Sequence, residues 1–179
     1  LKISFILLNL LRVFSSYASD EGNVSIDIST PLEWKYLDKR YKECLTSLTP
    51  ERIQDLTVRA ESNDPFAQCV LGIIYEKRRY ESPRNVTEAA MWYERSANSG
   101  EPEAQYRMGE FFRYRFADRE ALKRWKTTLG LLKESAPESV WYQRAADYWF
   151  ERAAKQGHLL AQYNIGFSYA GGIMGKGIE

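Results

Sequence analysis

Few residues in this sequence have the types and the spacing that catalysis or metal binding needs. The chain of 179 residues contains one histidine, His158, so a zinc site or catalytic triad built on histidines is not expected. A catalytic or metal-binding His158 would need a second histidine or clustered carboxylates nearby, and the neighbouring sequence has neither. Its position before an apolar helical segment favours a helix-capping or surface role.

A glycine-rich stretch near the C-terminus superficially resembles a phosphate-binding loop. It runs from Gly171 to Gly177 and contains Lys176. The spacing is wrong for such a loop, no Ser or Thr follows the lysine, and the stretch follows a predicted helix instead of a strand. We therefore predict no catalytic residue, no cofactor and no metal.

The two cysteines, Cys44 and Cys69, are too few for a fold held together by disulfides. Each falls in a predicted helix, which favours buried free thiols. A disulfide between Cys44 and Cys69 is the alternative, and it requires that the chain be exported to an oxidising compartment.

Composition excludes two further classes of protein. The chain has 25 Lys and Arg against 24 Asp and Glu, a formal net charge of +1, so it lacks the cationic character of a dedicated nucleic-acid binder. Hydrophobic residues make up 44% and charged residues 27%, as in a folded globular protein and unlike a disordered one. Aromatic residues, at 14%, are unusually frequent and need an explanation.

The N-terminal segment resembles a signal peptide. Residues 1–14 are mostly apolar, and Ser16 and Ala18 provide small residues for cleavage after Ala18. We therefore expect residues 1–18 to direct export to a periplasm, to the extracellular space or to the lumen of the endoplasmic reticulum. The alternatives are an N-terminal core helix in a cytoplasmic protein and an uncleaved segment that keeps the chain at a membrane.

Three segments of the chain repeat one pattern of residues. They cover residues 64–75, 101–112 and 158–169, and their shared alanines, Ala67, Ala104 and Ala161, lie 37 and then 57 residues apart. In each segment a small, a medium and a large residue follow at spacings of four, the periodicity of one helix face. The glycine next to the medium residue lets a second helix approach closely. Such periods are typical of helical-repeat proteins.

A second pattern follows the first two copies, and it also has helical spacing. Residues 89–100 and 146–157 share Ala-x-x-Trp-x-x-x-(Ser or Ala)-Ala-x-x-Gly. Gly100 and Gly157 stand where helices end, whereas Pro65 and Pro102 stand where helices begin. Asn85 with Glu88 reads as a capping box for the second helix of the first unit. Tryptophan at 92 and 149 is expected to wedge between helices, which accounts for much of the aromatic excess.

The motifs Ala-Gln-Tyr-x-x-Gly at 104–109 and 161–166, with the tryptophan motif at 146–157, resemble those of Sel-1-like repeats, relatives of the tetratricopeptide repeats. The resemblance implies an all-α fold, an α/α solenoid of antiparallel helix pairs in a right-handed superhelix. The implied repeats are residues 64–100, 101–157 and a truncated 158–179. Residues 19–63 would form an N-terminal helical cap or degenerate repeat, with a helix that begins near Thr30 and covers the end of the stack.

The second repeat contains about twenty additional residues within 113–141. Leu122, Trp125, Leu129 and Leu132 have helical spacing, so we predict an extra amphipathic helix. Basic residues exceed acidic ones here, which could create a docking site for an acidic partner or a membrane surface. The alternative, which we favour, is a solvated helix face whose charge is balanced by other parts of the fold.

Helical phase predicts which residues face away from the paired helix. In the second repeat these are Tyr106, Glu110 and Arg113, and in the third they are Tyr163, Phe167 and Ala170. The set predicted for the first repeat consists of Cys69, Ile73 and Glu76. Together they would line a concave groove that binds a protein or peptide, with Gln68, Gln105 and Gln162 along its edge. The alternative is that the tyrosines pack between neighbouring repeats.

The resemblance implies a non-catalytic scaffold or adaptor for protein–protein interaction, and we expect it to be exported. One alternative is a specificity module of an enzyme, such as a hydrolase, whose active site lies outside this segment. Another is a membrane-associated scaffold held by the N-terminal segment. The expected partner is a protein or peptide and not a nucleic acid, and a membrane is expected only if the N-terminal segment is retained.

Overall fold

The computed structural model describes residues 35–77, 83–114, 119–128 and 136–170. These residues form eight helices and no strands, which confirms the predicted all-α class. The predicted signal peptide at 1–18 and the glycine-rich stretch at 171–177 lie outside the described residues. The helices are α1 (Lys39–Thr46), α2 (Pro50–Glu61), α3 (Pro65–Lys77), α4 (Pro83–Asn98), α5 (Pro102–Arg113), α6 (Arg119–Thr128), α7 (Glu138–Lys155) and α8 (Leu159–Ala170).

The helices pack largely in chain order. Helix α2 packs against α3, α3 against α4, α4 against α5, α5 against α7 and α7 against α8. Helix α6 contacts α7, and α1 contacts α3. This succession of neighbours is the arrangement of a helical-repeat solenoid, in which each unit contacts the units next to it. The handedness of the superhelix stays a prediction.

Two helices begin at the prolines that the sequence indicates. Helices α3 and α5 begin at Pro65 and Pro102, the predicted positions. Helix α4 begins at Pro83, two residues before Asn85, the predicted cap. The predicted start of the N-terminal helix near Thr30 lies outside the described residues. Within them, α1 begins after Asp38, whose carboxylate accepts a hydrogen bond from the Arg40 backbone N–H at 2.8 Å.

The second helices end in one recurring turn. Gly100 and Gly157 have φ of +97° and +87°, the left-handed conformation expected of a glycine after a helix. Asn63 has φ of +65° and takes the same place after α2, where the sequence contains no glycine to indicate it. The residue that follows each of them donates a backbone hydrogen bond to a carbonyl of the preceding helix. These bonds run from Asp64 to Arg59, from Glu101 to Ser96 and from His158 to Ala153. Helix α2 therefore ends as the second helix of a repeat does.

Three glutamines join a helix to the end of the helix before it. The Gln68 side chain donates from Nε2 to the Ala60 carbonyl at 2.9 Å, and Gln105 and Gln162 make the corresponding bonds. Gln68 and Gln105 are buried. Each glutamine gives a second hydrogen bond to a carbonyl at the end of the preceding helix, which also accepts the backbone N–H of the residue that terminates that helix. The prediction that Gln68 and Gln105 lie along a groove edge is therefore wrong.

Within a repeat, an aromatic side chain packs directly on a glycine. A methyl group added at Gly72 would lie 2.5 Å from the ring of Tyr93, and one added at Gly109 would lie 2.5 Å from the ring of Phe150. Trp92 of α4 and Trp149 of α7 are both buried, as the wedge prediction requires. The pairs α3–α4 and α5–α7 therefore share one mode of close packing.

Both cysteines are buried free thiols, the outcome that the sequence favours. The alternative, a disulfide between Cys44 and Cys69, is not formed in the structure. Burial raises the pKa of Cys69 well above its ordinary value, and burial also raises that of Cys44. Because the thiolate is the reactive form, neither thiol is suited to act as a nucleophile.

Candidate protein-interaction surface

Helix α8 is buried on one side and open on the other. Ala161, Asn164 and Ser168 are buried on the side that packs on the preceding helices, where Asn164 contacts α5 and Ser168 contacts α7. On the opposite side Tyr163 is 70% exposed and Phe167 is 56% exposed. Leu159 and Tyr169 are also exposed. Isolated exposed apolar residues are common on protein surfaces, but several on one helix face indicate an interaction site.

The equivalent face of α5 is covered. Tyr106 occupies the position of Tyr163, yet it is only 5% exposed. Its ring stacks on the imidazole of His158, with centroids 4.6 Å apart and planes 18° apart, and lies 5.9 Å from the ring of Phe150. The prediction that Tyr106 lines an open groove is therefore wrong, because α7 and the start of α8 cover it. Tyr106 instead packs between neighbouring repeats, as the alternative predicts.

The first repeat departs from the predicted groove in the same way. Cys69 and Ile73 are buried, and Glu76 is partly buried in an ion-pair network. The predicted set is therefore not one continuous surface. Of its described members in the second and third repeats, only Tyr163 and Phe167 have large side chains that are more than half exposed.

Glu110 and Arg113 lie at the edge of α8 and contact it through Asn164. The Arg113 guanidinium donates to Asn164 Oδ1 at 2.7 Å, and Asn164 Nδ2 donates to Glu110 Oε1 at 3.3 Å. Both charged side chains are partly exposed. Glu110 and Arg113 therefore contact the helix that contains Tyr163 and Phe167. Asn164, which forms both contacts, is not among the site residues that the sequence predicts.

Gly166 lies on the open face of α8, between Tyr163 and Phe167. It occupies the position of Gly72 and Gly109, but a methyl group added there would meet no atom of the described residues within 4 Å. Where the first two repeats have an aromatic ring from a second helix, the described residues leave this position uncovered. The open face, defined here as Leu159, Tyr163, Gly166 and Phe167, is therefore an unpaired copy of an interface used twice in the fold.

A polar contact holds α8 on α7 from the buried side. Asp147 accepts hydrogen bonds from Gln143 Nε2 at 3.0 Å and from Ser168 Oγ at 3.2 Å. Burial raises the pKa of Asp147, and the two hydrogen bonds partly oppose that shift. The contact fixes the orientation of α8, so the open face points away from α7.

His158 belongs to a buried network that joins the repeats. Its Nδ1 accepts the Ala161 backbone N–H at 3.3 Å, so the predicted capping role is confirmed, and its Nε2 lies 2.9 Å from Glu103 Oε2. Arg107 donates to Glu103 at 2.8 Å and to Glu76 at 3.3 Å. Each ionic group already has fixed partners, which suits a structural junction better than acid–base chemistry.

The network gives Glu103 a strongly shifted pKa. Burial alone raises it, but the charge of Arg107 and the hydrogen bond with His158 outweigh burial and lower the pKa from 4.5 to about 2. Glu103 is therefore ionised at neutral pH. The i, i+4 spacing of Glu103 and Arg107 is visible in the sequence. The contribution of His158 is not, since it comes from another repeat.

Part of the excess positive charge near α6 is balanced by acidic residues of neighbouring helices. Arg124 forms a bidentate ion pair with Glu94, with nitrogen–oxygen distances of 3.3 Å and 2.9 Å. Arg119 Nε lies 3.1 Å from Glu138 Oε1. The Lys126 ammonium lies 4.0 Å from the centre of the Trp141 ring. These contacts favour the solvated helix face over the acidic-partner docking site as the role of this segment.

Other kinds of site find little support in the described part of the chain. No three or more His, Cys, Asp or Glu side chains come together there as a metal site would require. None of the helices described is long and apolar enough to cross a membrane.

The fold and the open face define a helical-repeat protein with a surface suited to protein binding. The model of the Sel1 repeat matches residues 65–101, 102–118, 140–147, 148–158 and 159–178, more than half of the chain, so the chain belongs to the Sel1 repeat family. The match omits residues 119–139, which include α6. Sel1 repeats generally mediate protein–protein interaction as non-catalytic scaffolds. Comparisons with curated proteins and with solved structures give no match.

Proposed function

We propose that this chain is a non-catalytic adaptor that binds a protein or peptide on the open face of α8. One observation carries the proposal: the same repeat position is 5% exposed at Tyr106 and 70% exposed at Tyr163. A large aromatic residue that is core in one repeat is thus available for binding in the next. Sel1 repeats generally bind proteins, and that property supports the proposal.

The chemistry of the face suits a protein partner. Tyr163 and Phe167 are large, stiff side chains of the kind that anchor interfaces, since each buries much apolar area for little loss of conformational freedom. Glu110 and Arg113 at the edge supply charges of both signs. Such charges orient a partner more than they hold it. A nucleic acid would instead require a basic surface, and α8 itself contains no charged residue.

The adaptor role is tested with matched pairs of substitutions. The double variant Tyr163→Ser with Phe167→Ser removes the proposed anchors, and Val58→Ser with Met91→Ser removes exposed apolar residues from α2 and α4 as a control. A partner protein is captured from the native source with the wild-type chain, purified and titrated against all three proteins. We expect the site variant to bind at least about tenfold more weakly and the control to bind normally. Equal binding by the three proteins would overturn the proposed surface.

We also propose that the adaptor is exported, on the basis of the signal-like pattern at residues 1–18. A reporter fused to these residues should leave the cytoplasm, and the mature chain should begin near Ser19. Mass spectrometry of the chain's N-terminus provides the measurement. A cytoplasmic chain that retains residues 1–18 would reject export, and an uncleaved chain in the membrane fraction would favour the membrane-associated scaffold.

A further inference from the structure

We infer that α6 acts as a brace that fixes the angle between the first and the second repeat. Helix α6 lies between α5 and α7 in the sequence, within the second repeat, yet it also contacts α4 of the first repeat. The Sel1 repeat model leaves residues 119–139 unmatched, so the brace is a property of this chain and not of the repeat itself. The inference concerns the shape of the solenoid and goes beyond the proposed function.

The apolar side of α6 anchors it in the second repeat. Leu122 and Trp125 are buried. The Trp125 ring lies 6.3 Å from the ring of Phe112 in α5 and 5.9 Å from the ring of Tyr148 in α7. Burial of large apolar side chains is the main source of attachment between helices, so α6 should move together with α5 and α7 as one unit.

The polar side of α6 reaches the first repeat. The Arg124 guanidinium donates two hydrogen bonds to the Glu94 carboxylate of α4, from Nε to Oε1 at 3.3 Å and from Nη2 to Oε2 at 2.9 Å. Two parallel bonds between planar groups fix the relative orientation of the groups as well as their distance. The Glu94 side chain is 26% exposed and that of Arg124 is 52% exposed, so the strength of this pair should depend on salt.

The order of packing explains why this contact restrains an angle. The outer helices of the two repeats, α4 and α7, both pack on α5, and neither is among the main neighbours of the other. A rotation of one repeat on the other at the α4–α5 interface would therefore change the separation of α4 from α7. Because α6 is packed on α7 and paired with α4, it opposes that change. The rotation between successive repeats sets the curvature of a solenoid.

The pair with Glu94 is weak enough to open while the protein stays folded. Exposed ion pairs contribute little to stability, and the apolar attachment of α6 to α5 and α7 does not depend on this one. Loss of the pair should therefore release the angle and leave α6 in place. The ratio of the fixed to the released arrangement should fall by up to about fivefold, as the loss of one exposed ion pair implies.

Spin labels measure the angle directly through double electron–electron resonance. Glu61, Asn98 and Lys155 have equivalent places near the ends of α2, α4 and α7, and none of them is buried. The variant Asn98→Cys with Lys155→Cys reports on the two repeats that α6 joins. The variant Glu61→Cys with Asn98→Cys reports on α2 and α4 as a matched control. The native Cys44 and Cys69 are buried, so they should react poorly with the label.

We expect Arg124→Ala to widen the distribution of distances between labels at 98 and 155 and to leave the distribution between 61 and 98 unchanged. A salt concentration of about 1 M should widen the first distribution in the wild type as well, because the Debye length falls to about 3 Å. The Arg124→Ala protein should respond little to the same salt. The exchanged pair Glu94→Arg with Arg124→Glu should restore the narrow distribution.

Three results would overturn the brace. The first is a distribution between 98 and 155 that stays narrow in Arg124→Ala. The second is equal widening for both label pairs, which would mean a general loss of packing. The third is rapid amide hydrogen exchange throughout α6 in Arg124→Ala, which would mean that the ion pair holds the helix itself. Partner binding does not enter these measurements, so the adaptor role and the brace can fail independently.

Discussion

At the scale of single residues, one glycine in each first helix sets how closely the second helix can approach. Gly72 and Gly109 have no room for a side chain, since Tyr93 and Phe150 pack directly on them. Gly166 has the same place in the repeat, but no described residue packs on it. The repeated glycine is therefore covered by an aromatic ring in the first two repeats, and no described residue covers it in the third.

This difference predicts opposite effects of one substitution. Gly109→Ala should lower the free energy of unfolding by about 1 to 3 kcal/mol, since the new methyl group would displace a buried ring. Gly166→Ala should raise it by up to about 1 kcal/mol, because alanine favours the helix and its methyl group meets no described residue. Urea denaturation of the two variants measures both changes. Equal destabilisation would contradict the open face of α8.

The buried carboxylate of Glu103 should make stability depend on acid pH. Its pKa is lowered from 4.5 to about 2 in the fold, mainly by Arg107 and His158 acting against burial. A group whose pKa is lower in the folded state stabilises the fold above its unfolded pKa, and that contribution is lost as pH falls through its folded pKa. The contribution of Glu103 should therefore disappear between about pH 4.5 and pH 2.

Substitution of Glu103 tests this assignment. Glu103→Gln should lower the free energy of unfolding at pH 7 by about 3 kcal/mol, since Arg107 loses a buried partner. The difference from wild type should shrink as the pH is lowered from 4.5 to 2. Urea denaturation at each pH gives the measurement, with Glu43→Gln on the exposed surface of α1 as the control. A constant difference across this range would reject the pKa assignment.

At the scale of elements, α6 is attached through its apolar side. Leu122 and Trp125 are buried, and the Trp125 ring lies 6.3 Å from that of Phe112 and 5.9 Å from that of Tyr148. The ion pair of Arg124 with Glu94 is more exposed and less sheltered from solvent. Exposed ion pairs contribute little to stability, so apolar packing should determine whether α6 stays in place.

Two substitutions in α6 separate these contributions. Trp125→Ala should increase amide hydrogen exchange throughout α6 and destabilise the protein by about 3 kcal/mol, the lower end of the range for large buried aromatic residues. Arg124→Ala should change stability by less than about 1 kcal/mol. Hydrogen exchange followed by mass spectrometry reports on α6 directly. A larger effect from Arg124→Ala would mean that charge holds this helix.

Helix boundaries could be predicted where a residue type has one strong preference. Pro65 and Pro102 begin helices and Gly100 and Gly157 end them, as the sequence indicates. Asn63 was missed because asparagine has several common roles, and only its backbone conformation shows that it takes the place of a terminating glycine. Asn85 was assigned as a cap on a local motif, although the helix begins earlier, at Pro83.

At the scale of the whole molecule, the repeat pattern predicts which helix faces recur but not which of them are covered. Helical phase placed Tyr106 and Tyr163 on equivalent faces, and the structure agrees on that equivalence. Their exposure differs because α7 and His158 cover the first tyrosine, whereas no described helix covers the second. Coverage depends on contacts between units, and a pattern within each unit contains no information about them.

The most direct test of the account compares Tyr106→Ala with Tyr163→Ala in parallel urea denaturations of the full chain. The account predicts that Tyr106→Ala lowers the free energy of unfolding by about 3 kcal/mol, as expected for a buried aromatic residue. Tyr163→Ala should change it by less than about 0.5 kcal/mol, as expected for a surface position. A comparable loss of stability in both variants would mean that Tyr163 is packed in the folded protein, and it would contradict an open, partner-binding face on α8.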